Sequence, residues 1–353
     1  MRLELPLSRG RVDPLVPLRE LLDPSTLVRK GPEAATSVAP AITQVQTFIV
    51  GPRGEIALVS EQDGYPQRPP HLYRPRHAEA LKLLDEGCDS YFIGATDNHI
   101  ARVAIVVDPR AHGQGTGDDN STANEQDNDQ KAPTFAWAWA NLRWAGYLLE
   151  PDESALAVSA VSLAAWHRMY QFCAQCGSPV GVVNGGWASR CSGCAKLEFP
   201  RHDPAVIVLV IDGHDRALLA HNVNWEGNFA STIAGFVEAG ESPDLAVARE
   251  LMEEVGVRIC EPEYVGTQPW PFPRSQMLGY VARTVDDTVE PVPDGEEIEW
   301  AAFYSREELA HAIEQEQLVP PGRSSIAYAM LREWYGGELP QPPNASDPLR
   351  LPW

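Results

Sequence analysis

The feature that most constrains this chain is a 23-residue segment, Gly235 to Val257, with the sequence GFVEAGESPDLAVARELMEEVGV. Ser242 is a favoured N-cap residue and Pro243 suits the first position of a helix, so we expect a helix from there to about Val255. Gly256 is typical of a helix end. The segment therefore predicts a loop, a helix of three to four turns and a second loop.

Three carboxylates share one face of this helix. At about 100° per residue, Glu250, Glu253 and Glu254 fall within an arc of about 100°. The opposite side is predicted to pack against a core, through Leu245, Ala248, Leu251, Met252 and Val255. Carboxylates crowded in this way repel one another, and hard divalent cations such as Mg²⁺ or Mn²⁺ remove the repulsion. A metal site is predicted, with a solvated acidic face as the alternative.

The charge of the chain limits its partners. With 49 acidic and 28 basic residues the formal net charge is −21, which opposes unaided binding to nucleic acid. Metal ions at clustered carboxylates would reverse that field locally. No apolar run of membrane-spanning length and no signal sequence are evident, so we expect a cytoplasmic protein without a membrane partner.

Four of the six cysteines form two CxxC pairs: Cys173 and Cys176, then Cys191 and Cys194 after fourteen intervening residues. This spacing is typical of a zinc ribbon, in which two turns complete a tetrahedron of thiolates. A closed shell of four thiolates predicts structural zinc, whereas a redox or disulfide role fits the paired motifs and the expected compartment less well. Cys88 and Cys260 stand alone and are predicted to be buried.

Short apolar runs divide the rest of the chain. TFIVG, EIALVS, YFIGA and ARVAIVVD predict strands of an N-terminal α+β domain, and residues 110–133 predict a mobile polar insertion. Two helices are expected to close that domain. The first is predicted from the helical spacing of Trp139, Leu142, Trp144, Leu148 and Leu149, and the second from residues 155–170. After Pro204, AVIVLVID and RALLAHN predict buried strands.

The carboxylate segment resembles the Nudix hydrolase family, because it matches the Nudix box at each defining position. These positions are Gly235, Glu241, Arg249, Glu250, Leu251, Glu253, Glu254, Gly256 and Val257. The resemblance implies an αβα sandwich and Mg²⁺ or Mn²⁺ held chiefly by Glu250 and Glu254, with Glu253 close by. It further implies that Arg249 orients a catalytic carboxylate.

A second motif narrows the resemblance. Residues 267–277, TQPWPFPRSQM, are similar to the SQPWPFPxS signature of NADH pyrophosphatases, with Thr267 in place of Ser. The segments EFPRHDP, GEEIEWAAF and PPGRSSIA resemble further parts of that family. The resemblance of the second segment implies one further metal-binding glutamate, which we place at Glu297, between the adjoining Glu296 and Glu299. Carried over by position, the substrate contacts are Phe199, Phe236, Gln268, Trp270, Phe272, Ser275, Ile326 and Ala327.

Taken together, the resemblance implies an N-terminal α+β domain (1–168), a zinc ribbon (169–200), a Nudix αβα sandwich (201–340) and a tail (341–353). It implies hydrolysis of NADH or NAD⁺ to nicotinamide mononucleotide and AMP, removal of NAD caps from RNA, and a homodimer. The general base stays open among Glu253, Glu254 and Glu297. A Nudix hydrolase of ADP-ribose or of another nucleoside diphosphate derivative is one alternative, and a non-catalytic nucleotide-sensing regulator is the other.

Overall fold

The computed structural model describes residues 3, 5–39, 41–59, 69–96, 99–112 and 137–341. Their contacts divide the chain into two compact units. One unit contains the described residues of 10–200, and the other contains those of 1–9 and 201–341. Within the described ranges, no helix is long and apolar enough to span a lipid bilayer.

The first unit is built on a six-stranded sheet. Its strands are β1 (Gln44–Val50), β2 (Glu55–Val59), β3 (His71–Leu72), β4 (Ser90–Thr96), β5 (Ile100–Val106) and β6 (Trp137–Asn141). The order is β3-β2-β1-β5-β4, and β6 also pairs with β2. β1 and β5 run parallel, and the other pairs are antiparallel. The four strands predicted from apolar runs are confirmed as β1, β2, β4 and β5.

Helices accompany this sheet. They are α1 (Pro24–Lys30), α2 (His77–Asp85), α3 (Pro109–His112), α4 (Leu142–Ala145) and α5 (Pro151–Met169), with short 3-10 helices at Val16–Leu18, Gly31–Ala35 and Gly146–Leu148. Helix α5 is the second predicted closing helix, and it is largely buried. Most of the predicted polar insertion lies outside the described residues, which resume at 137.

The helix predicted around Trp139 to Leu149 is wrong over its first half. Residues 137–141 form strand β6, in which Trp139 is buried opposite Ala57 of β2. The sequence Trp-Ala-Trp-Ala has a period of two as well as partial helical spacing, and pairing along β2 decides in favour of the strand. Only the four-residue α4 and a 3-10 turn follow it.

The cysteine-bearing segment belongs to the same unit. It forms a three-stranded antiparallel sheet of β7 (Val180–Val183), β8 (Ala188–Cys191) and β9 (Leu197–Glu198), with a 3-10 turn at Asn184–Gly186. The indole N–H of Trp187 donates to the carbonyl of Phe92 at 2.6 Å. A side chain at Gly186, where φ is +101°, would collide with the Tyr91 ring at 2.5 Å. The glycine turn therefore lets the ribbon pack on β4.

The second unit contains another six-stranded sheet. Its strands are β10 (Asp203–Ile211), β11 (Ala217–Asn222), β12 (Ile233–Phe236), β13 (Glu263–Trp270), β14 (Ser275–Arg283) and β15 (Ile298–Tyr304). The order is β13-β14-β10-β11-β15, with β12 paired to β10 and with β10 and β14 parallel. AVIVLVID and RALLAHN are thus confirmed as strands.

Helices cover both faces of this sheet: α6 (Pro243–Val255), α7 (Arg306–Glu314) and α8 (Ile326–Tyr335). Along β10, Val206, Val208 and Val210 pack in one core cluster with the buried face of α6. The alternate residues Ile207 and Leu209 pack in the other cluster, beside α7 and α8. Because successive strand side chains point to opposite faces and both faces are covered, this strand is apolar from Pro204 to Ile211. The predicted αβα sandwich is confirmed, and Leu5 from the start of the chain adds to its core.

Candidate active site and zinc centre

Helix α6 begins and ends where the sequence predicts. Ser242 is the N-cap residue with extended backbone, and Gly256 ends the helix in the left-handed region, at φ 65°. The amide of Val257 then donates to the carbonyl of Leu251 at 3.1 Å, a bond that closes the helix end. The side chain of Ser242 makes no capping hydrogen bond, so the boundary depends on backbone geometry and Pro243.

The predicted orientation of α6 is wrong in part. Leu245 and Met252 are 63% and 48% exposed, and Ala248 is exposed as well. The buried residues are Ala246, Val247, Leu251, Glu254 and Val255. At about 100° per residue, Glu250 and Glu254 lie inside the arc that these residues span. The predicted metal-binding face and the packing face therefore overlap, although helical spacing alone had placed the carboxylates opposite the packing face.

Glycine at 235 leaves room for Glu250. Gly235 lies on β12 opposite Val206, and a Cβ added there would lie 1.9 Å from the carboxyl carbon of Glu250. Any side chain at this position would displace that carboxylate. The first glycine of the motif thus has a steric role at the site.

Arg249 organises the carboxylates around it. Its Nε and Nη2 donate to the two oxygens of Glu241, both at 2.9 Å, and Nη2 also donates to the carbonyl of Phe236 at 2.9 Å. Its Nη1 lies 2.9 Å from Glu250 and 3.0 Å from Glu253. The Arg249 guanidinium, followed by the amide of Glu238, lowers the pKa of Glu241 to about 2. Arg249 is therefore held in place by Glu241 and in turn holds Glu250.

Glu254 is a buried carboxylate surrounded by negative charge. Its residue is 5% exposed, and no basic side chain of the described residues forms an ion pair with it. Burial first and then neighbouring carboxylates raise its pKa to about 8. Those neighbours, in order of effect, are Glu250, Glu297, Asp294 and Glu253. Burial likewise raises the pKa of Glu250, against the opposing effect of Arg249.

This arrangement fits a hard divalent cation, which would neutralise the repulsion. The carboxylate oxygens lie farther apart than the four thiols described below. Those thiols form the one cluster of possible metal ligands, among the described residues, whose ligand atoms all lie within 4.8 Å of one another. Mg²⁺ keeps several water ligands, so a looser set of carboxylates suits it. Glu250, Glu254 and Glu297 are the residues that could hold the ion, whereas Glu253 is 61% exposed and bound to Arg249.

The proline-rich motif at residues 267–277 forms a hairpin. Its first part belongs to β13 and its last part to β14, with Gln268 opposite Met277 and Trp270 opposite Ser275. The rings of Trp270 and Phe272 meet edge to face, with centroids 4.9 Å apart. Pairing along both strands makes this presentation of the two rings rigid.

The predicted substrate residues fall into two groups. Phe236 is 57% exposed, and Trp270, Phe272 and Ser275 are partly exposed, so a ligand can reach them. In contrast, Gln268, Ile326 and Ala327 are buried. Phe199 is also exposed, but it belongs to the other unit.

The buried group ties β13 and β14 to the start of α8. The Nε2 of Gln268 donates to the carbonyl of Ser324 at 2.8 Å, which ties β13 to the segment before α8. Ile326 approaches β14 so closely that a Cβ on Gly279 would lie 2.6 Å from its Cδ1. Direct substrate contact by these three buried residues stays a prediction.

The four predicted zinc ligands come together. The Sγ atoms of Cys173, Cys176, Cys191 and Cys194 all lie within 4.8 Å of one another. The Cys173–Cys194 and Cys176–Cys191 separations are 3.8 and 3.4 Å. A tetrahedron with Zn–S bonds of about 2.3 Å has S–S edges of about 3.8 Å, so the four thiols fit zinc.

The backbone supports these thiolates. The amides of Gly193 and Cys194 approach the sulfur of Cys191 at 3.3 and 3.4 Å. Gly177 has φ 71°, whereas Gly193 is required for space, because a Cβ there would lie 2.4 Å from the hydroxyl of Ser178. The other two cysteines differ from expectation: Cys260 is exposed and Cys88 is only partly buried.

Comparison with known proteins agrees with both sites. The NUDIX domain model matches residues 201–333, and the NADH pyrophosphatase zinc ribbon domain model matches residues 168–199. A Stutzerimonas stutzeri protein named NAD-capped RNA hydrolase NudC is 37% identical over 204 residues, which are 58% of this chain and 70% of that protein. The chain belongs to the Nudix hydrolase family, in the group that carries the NADH pyrophosphatase zinc ribbon.

Other similar proteins extend this result. A Mycobacterium bovis protein, also named NAD-capped RNA hydrolase NudC, is 41% identical over 202 residues, or 55% of this chain. The match spans 64% of the length of that relative. A Nudix hydrolase structure from Nitrosomonas europaea matches 48% of this chain and 95% of its own, with 20% identity and a TM-score of 0.38.

Two residues of this Nudix site were absent from the predicted functional set. Glu241 was recognised as a box position, but its pairing with Arg249 spans a turn that sequence spacing does not resolve. Asp294 lies beside Glu254 in the loop before β15. The Asp-Gly pair at 294–295 is a turn signal that could have indicated its conformation.

Proposed function

We propose that this chain hydrolyses the pyrophosphate of NADH and NAD⁺ with Mg²⁺ or Mn²⁺, and that it also removes NAD caps from RNA 5′ ends. Water adds to one phosphorus and the bridging P–O bond breaks. The dinucleotide yields AMP and the nicotinamide mononucleotide, and capped RNA yields the mononucleotide and a 5′-monophosphate end. Relatives that share both domains are named NAD-capped RNA hydrolases, which supports this choice of substrate.

The observation that carries the metal-dependent part is the state of Glu254. It is buried without a basic partner, and the negative charge of its neighbours adds to the effect of burial on its pKa. An isolated carboxylate in such a place is unfavourable for folding unless the charge is balanced. A bound divalent cation would balance the charge of Glu254, so this unfavourable carboxylate is explained by a role in metal binding.

The carboxylates of the site have two roles in this proposal, metal binding and proton acceptance. Glu250, Glu254 and Glu297 would hold the cation, which would supply positive charge to the phosphoryl oxygens and help to activate water. Arg249 keeps the Glu250 carboxylate oriented through its 2.9 Å contact. The proton of the attacking water passes to one of three carboxylates, those of Glu253, Glu254 and Glu297.

Aromatic side chains would bind the two ends of the dinucleotide. Trp270 and Phe272 already hold each other edge to face, so little conformational freedom is lost when a flat ring stacks on them. Phe236 is exposed at the end of β12, one residue after the glycine that faces Glu250. Phe199 is proposed as a further stacking residue.

Two properties of the whole protein are part of the proposal. We infer a homodimer, in line with the family resemblance. We also infer a cytoplasmic location, because four reduced thiols in zinc-binding geometry favour a reducing compartment.

The test compares wild type with Glu254→Gln, which keeps the shape of the side chain and removes its charge. NADH, NAD⁺, ADP-ribose and NAD-capped RNA are each incubated with Mg²⁺ or Mn²⁺, and products are separated by chromatography. Wild type is expected to release AMP and the mononucleotide from NADH. Outer-sphere changes at metal sites lower activity about 10- to 100-fold, so loss of a direct ligand should exceed about 100-fold.

Glu307→Gln is the matched control, because Glu307 is an exposed helical glutamate in the first turn of α7. It should retain wild-type activity. Cleavage of ADP-ribose in strong preference to the dinucleotides would replace the proposed substrate. Failure of wild type to cleave any of the four compounds, with nucleotide binding retained, would indicate the sensing regulator instead.

A further inference from the structure

The loop before β15 is organised by one carboxylate. The Oδ1 atom of Asp294 accepts hydrogen bonds from the amides of Glu296 at 3.2 Å, Glu297 at 3.1 Å and Ile298 at 2.9 Å. The amide of Gly295, at φ 75°, donates to the carbonyl of Ile298 at 3.1 Å. Three consecutive amides are thus directed at a single oxygen, and the backbone around Glu297 has one defined conformation.

The backbone of the same residue is bound to the carboxylate helix. The amide of Asp294 donates to the carbonyl of Glu254 at 3.0 Å, and that of Val292 donates to the carbonyl of Val255 at 2.8 Å. These bonds join the end of α6 to the loop before β15. Asp294 therefore contacts the backbone of Glu254 through its N–H and the backbone of Glu297 through its side chain.

The connection joins two carboxylates that come from distant parts of the sequence. Glu254 and Glu297 are close enough for the charge of Glu297 to raise the pKa of Glu254. Glu297 lies in a loop, so the position of its side chain depends on how firmly the loop backbone is fixed. The carbonyl of Glu297 also accepts from the amide of Val223 at 2.9 Å, which fixes the loop from its other side.

We propose that Asp294 is a positioning residue for the catalytic metal site: its side chain fixes the backbone of Glu297 at a set distance from Glu254, so that both carboxylates meet one cation. The inference rests on the proposed metal-dependent hydrolysis. Asp294 itself uses its Oδ1 to accept from backbone amides, so it acts through Glu297.

Two substitutions separate this role from a simple charge effect. Asp294→Ala removes the acceptor and releases the turn. Asp294→Asn keeps an oxygen acceptor but removes the charge. The control is Asp286→Ala, because Asp286 caps a turn earlier in the same loop between β14 and β15, by accepting from the amide and hydroxyl of Thr288 at 2.9 and 2.8 Å.

The measurements are the dissociation constant for Mn²⁺ by titration calorimetry and the kcat and KM for NADH, on zinc-loaded protein with a normal circular dichroism spectrum. For Asp294→Ala, Mn²⁺ binding should weaken about 10-fold and kcat should fall about 10- to 100-fold, the usual effect of losing support around a metal ligand. KM should change less than about two-fold. For Asp294→Asn, the Mn²⁺ dissociation constant and kcat should stay within about three-fold of the wild-type values. Asp286→Ala should have the wild-type values.

Wild-type Mn²⁺ affinity and kcat in Asp294→Ala would overturn the proposal. Equal impairment of Asp294→Ala and Asp294→Asn would also overturn it, because charge and not the turn would then be the cause. Calorimetry needs no turnover, so it tests Asp294 even if wild type cleaves no dinucleotide. In that case the proposed function fails separately from the positioning role.

Discussion

Replacing Glu254 by Gln should stabilise the protein while destroying its activity, and the stabilisation should depend on pH. A carboxylic acid whose pKa is raised on folding keeps its proton in the folded state while the unfolded chain releases it. Below pH 4.5, the ordinary value for Glu254, both states are protonated and wild type and variant should be similar. As pH rises to about 8, wild type should lose stability relative to the variant.

The structure sets the size of this effect. The pKa of Glu254 is about 8 against an ordinary value of 4.5, a difference of about 3.5 pH units. At about 1.36 kcal/mol per unit, ionising Glu254 in the metal-free folded protein disfavours folding by at most about 5 kcal/mol. Nearby carboxylates share the protonation, so we expect a gain for Glu254→Gln of about 1 to 5 kcal/mol above pH 8 and close to zero at pH 4.5.

Thermal unfolding followed by circular dichroism between pH 4.5 and 9 measures this difference. The buffers are passed over chelating resin to remove free Mg²⁺ and Mn²⁺ without a soluble chelator that would strip zinc from the ribbon. For a unit of this size, 1 kcal/mol corresponds to about 2–4 °C in Tm. Adding Mn²⁺ at about 100 times its dissociation constant should stabilise wild type by about 2.7 kcal/mol and the variant by much less.

The reasoning is refuted if the two proteins have the same Tm at every pH, or if Glu254→Gln is the less stable protein at pH 9. A constant difference at all pH values would point to packing and not to charge. Glu307→Gln again serves as the control, since an exposed surface substitution should change stability by less than about 0.5 kcal/mol.

Three further predictions address the supporting residues. Gly235→Ala should lower kcat for NADH at least about 10-fold, because the new Cβ displaces the Glu250 carboxylate, while the far-ultraviolet circular dichroism spectrum stays normal. An unchanged kcat in steady-state kinetics would contradict this prediction. Arg249→Lys should lower kcat about 10- to 100-fold, since an ammonium cannot bind both oxygens of Glu241 and still reach Glu250, and a variant with full activity would remove the orienting role. Cys191→Ser should abolish the binding of one zinc ion per chain and lower the Tm, measured by a colorimetric zinc assay and by calorimetry. A variant that still binds one zinc ion per chain would contradict the four-thiolate site.

Local signals in the sequence were sufficient for several parts of this protein. The N-cap, proline and glycine around α6 act within a few residues of one another, so the helix bounds follow from the chain itself. The two CxxC pairs likewise specify four thiols by spacing, and the structure brings them together. Apolar runs bounded by turn residues predicted six strands of the two sheets, which the structure forms as β1, β2, β4, β5, β10 and β11.

Relations between distant segments could not be read in this way. Trp137 to Asn141 became a strand because β2 offered a pairing edge, although helical spacing was also present. Leu245 and Met252 are exposed because the sheet lies against a different side of α6. Periodicity counts apolar residues around a helix, but it does not tell which of two overlapping faces the rest of the chain will cover.

The sequence by itself determined that the chain carries a carboxylate helix, a four-thiolate zinc site and an αβα Nudix unit. Only the tertiary structure decided that Glu254 is buried, that Gly235 makes room for Glu250 and that Asp294 connects Glu254 with Glu297. The physical reason is that burial and charge interaction depend on distances between segments far apart in the chain. Motif spacing fixes distances only within a few helical turns.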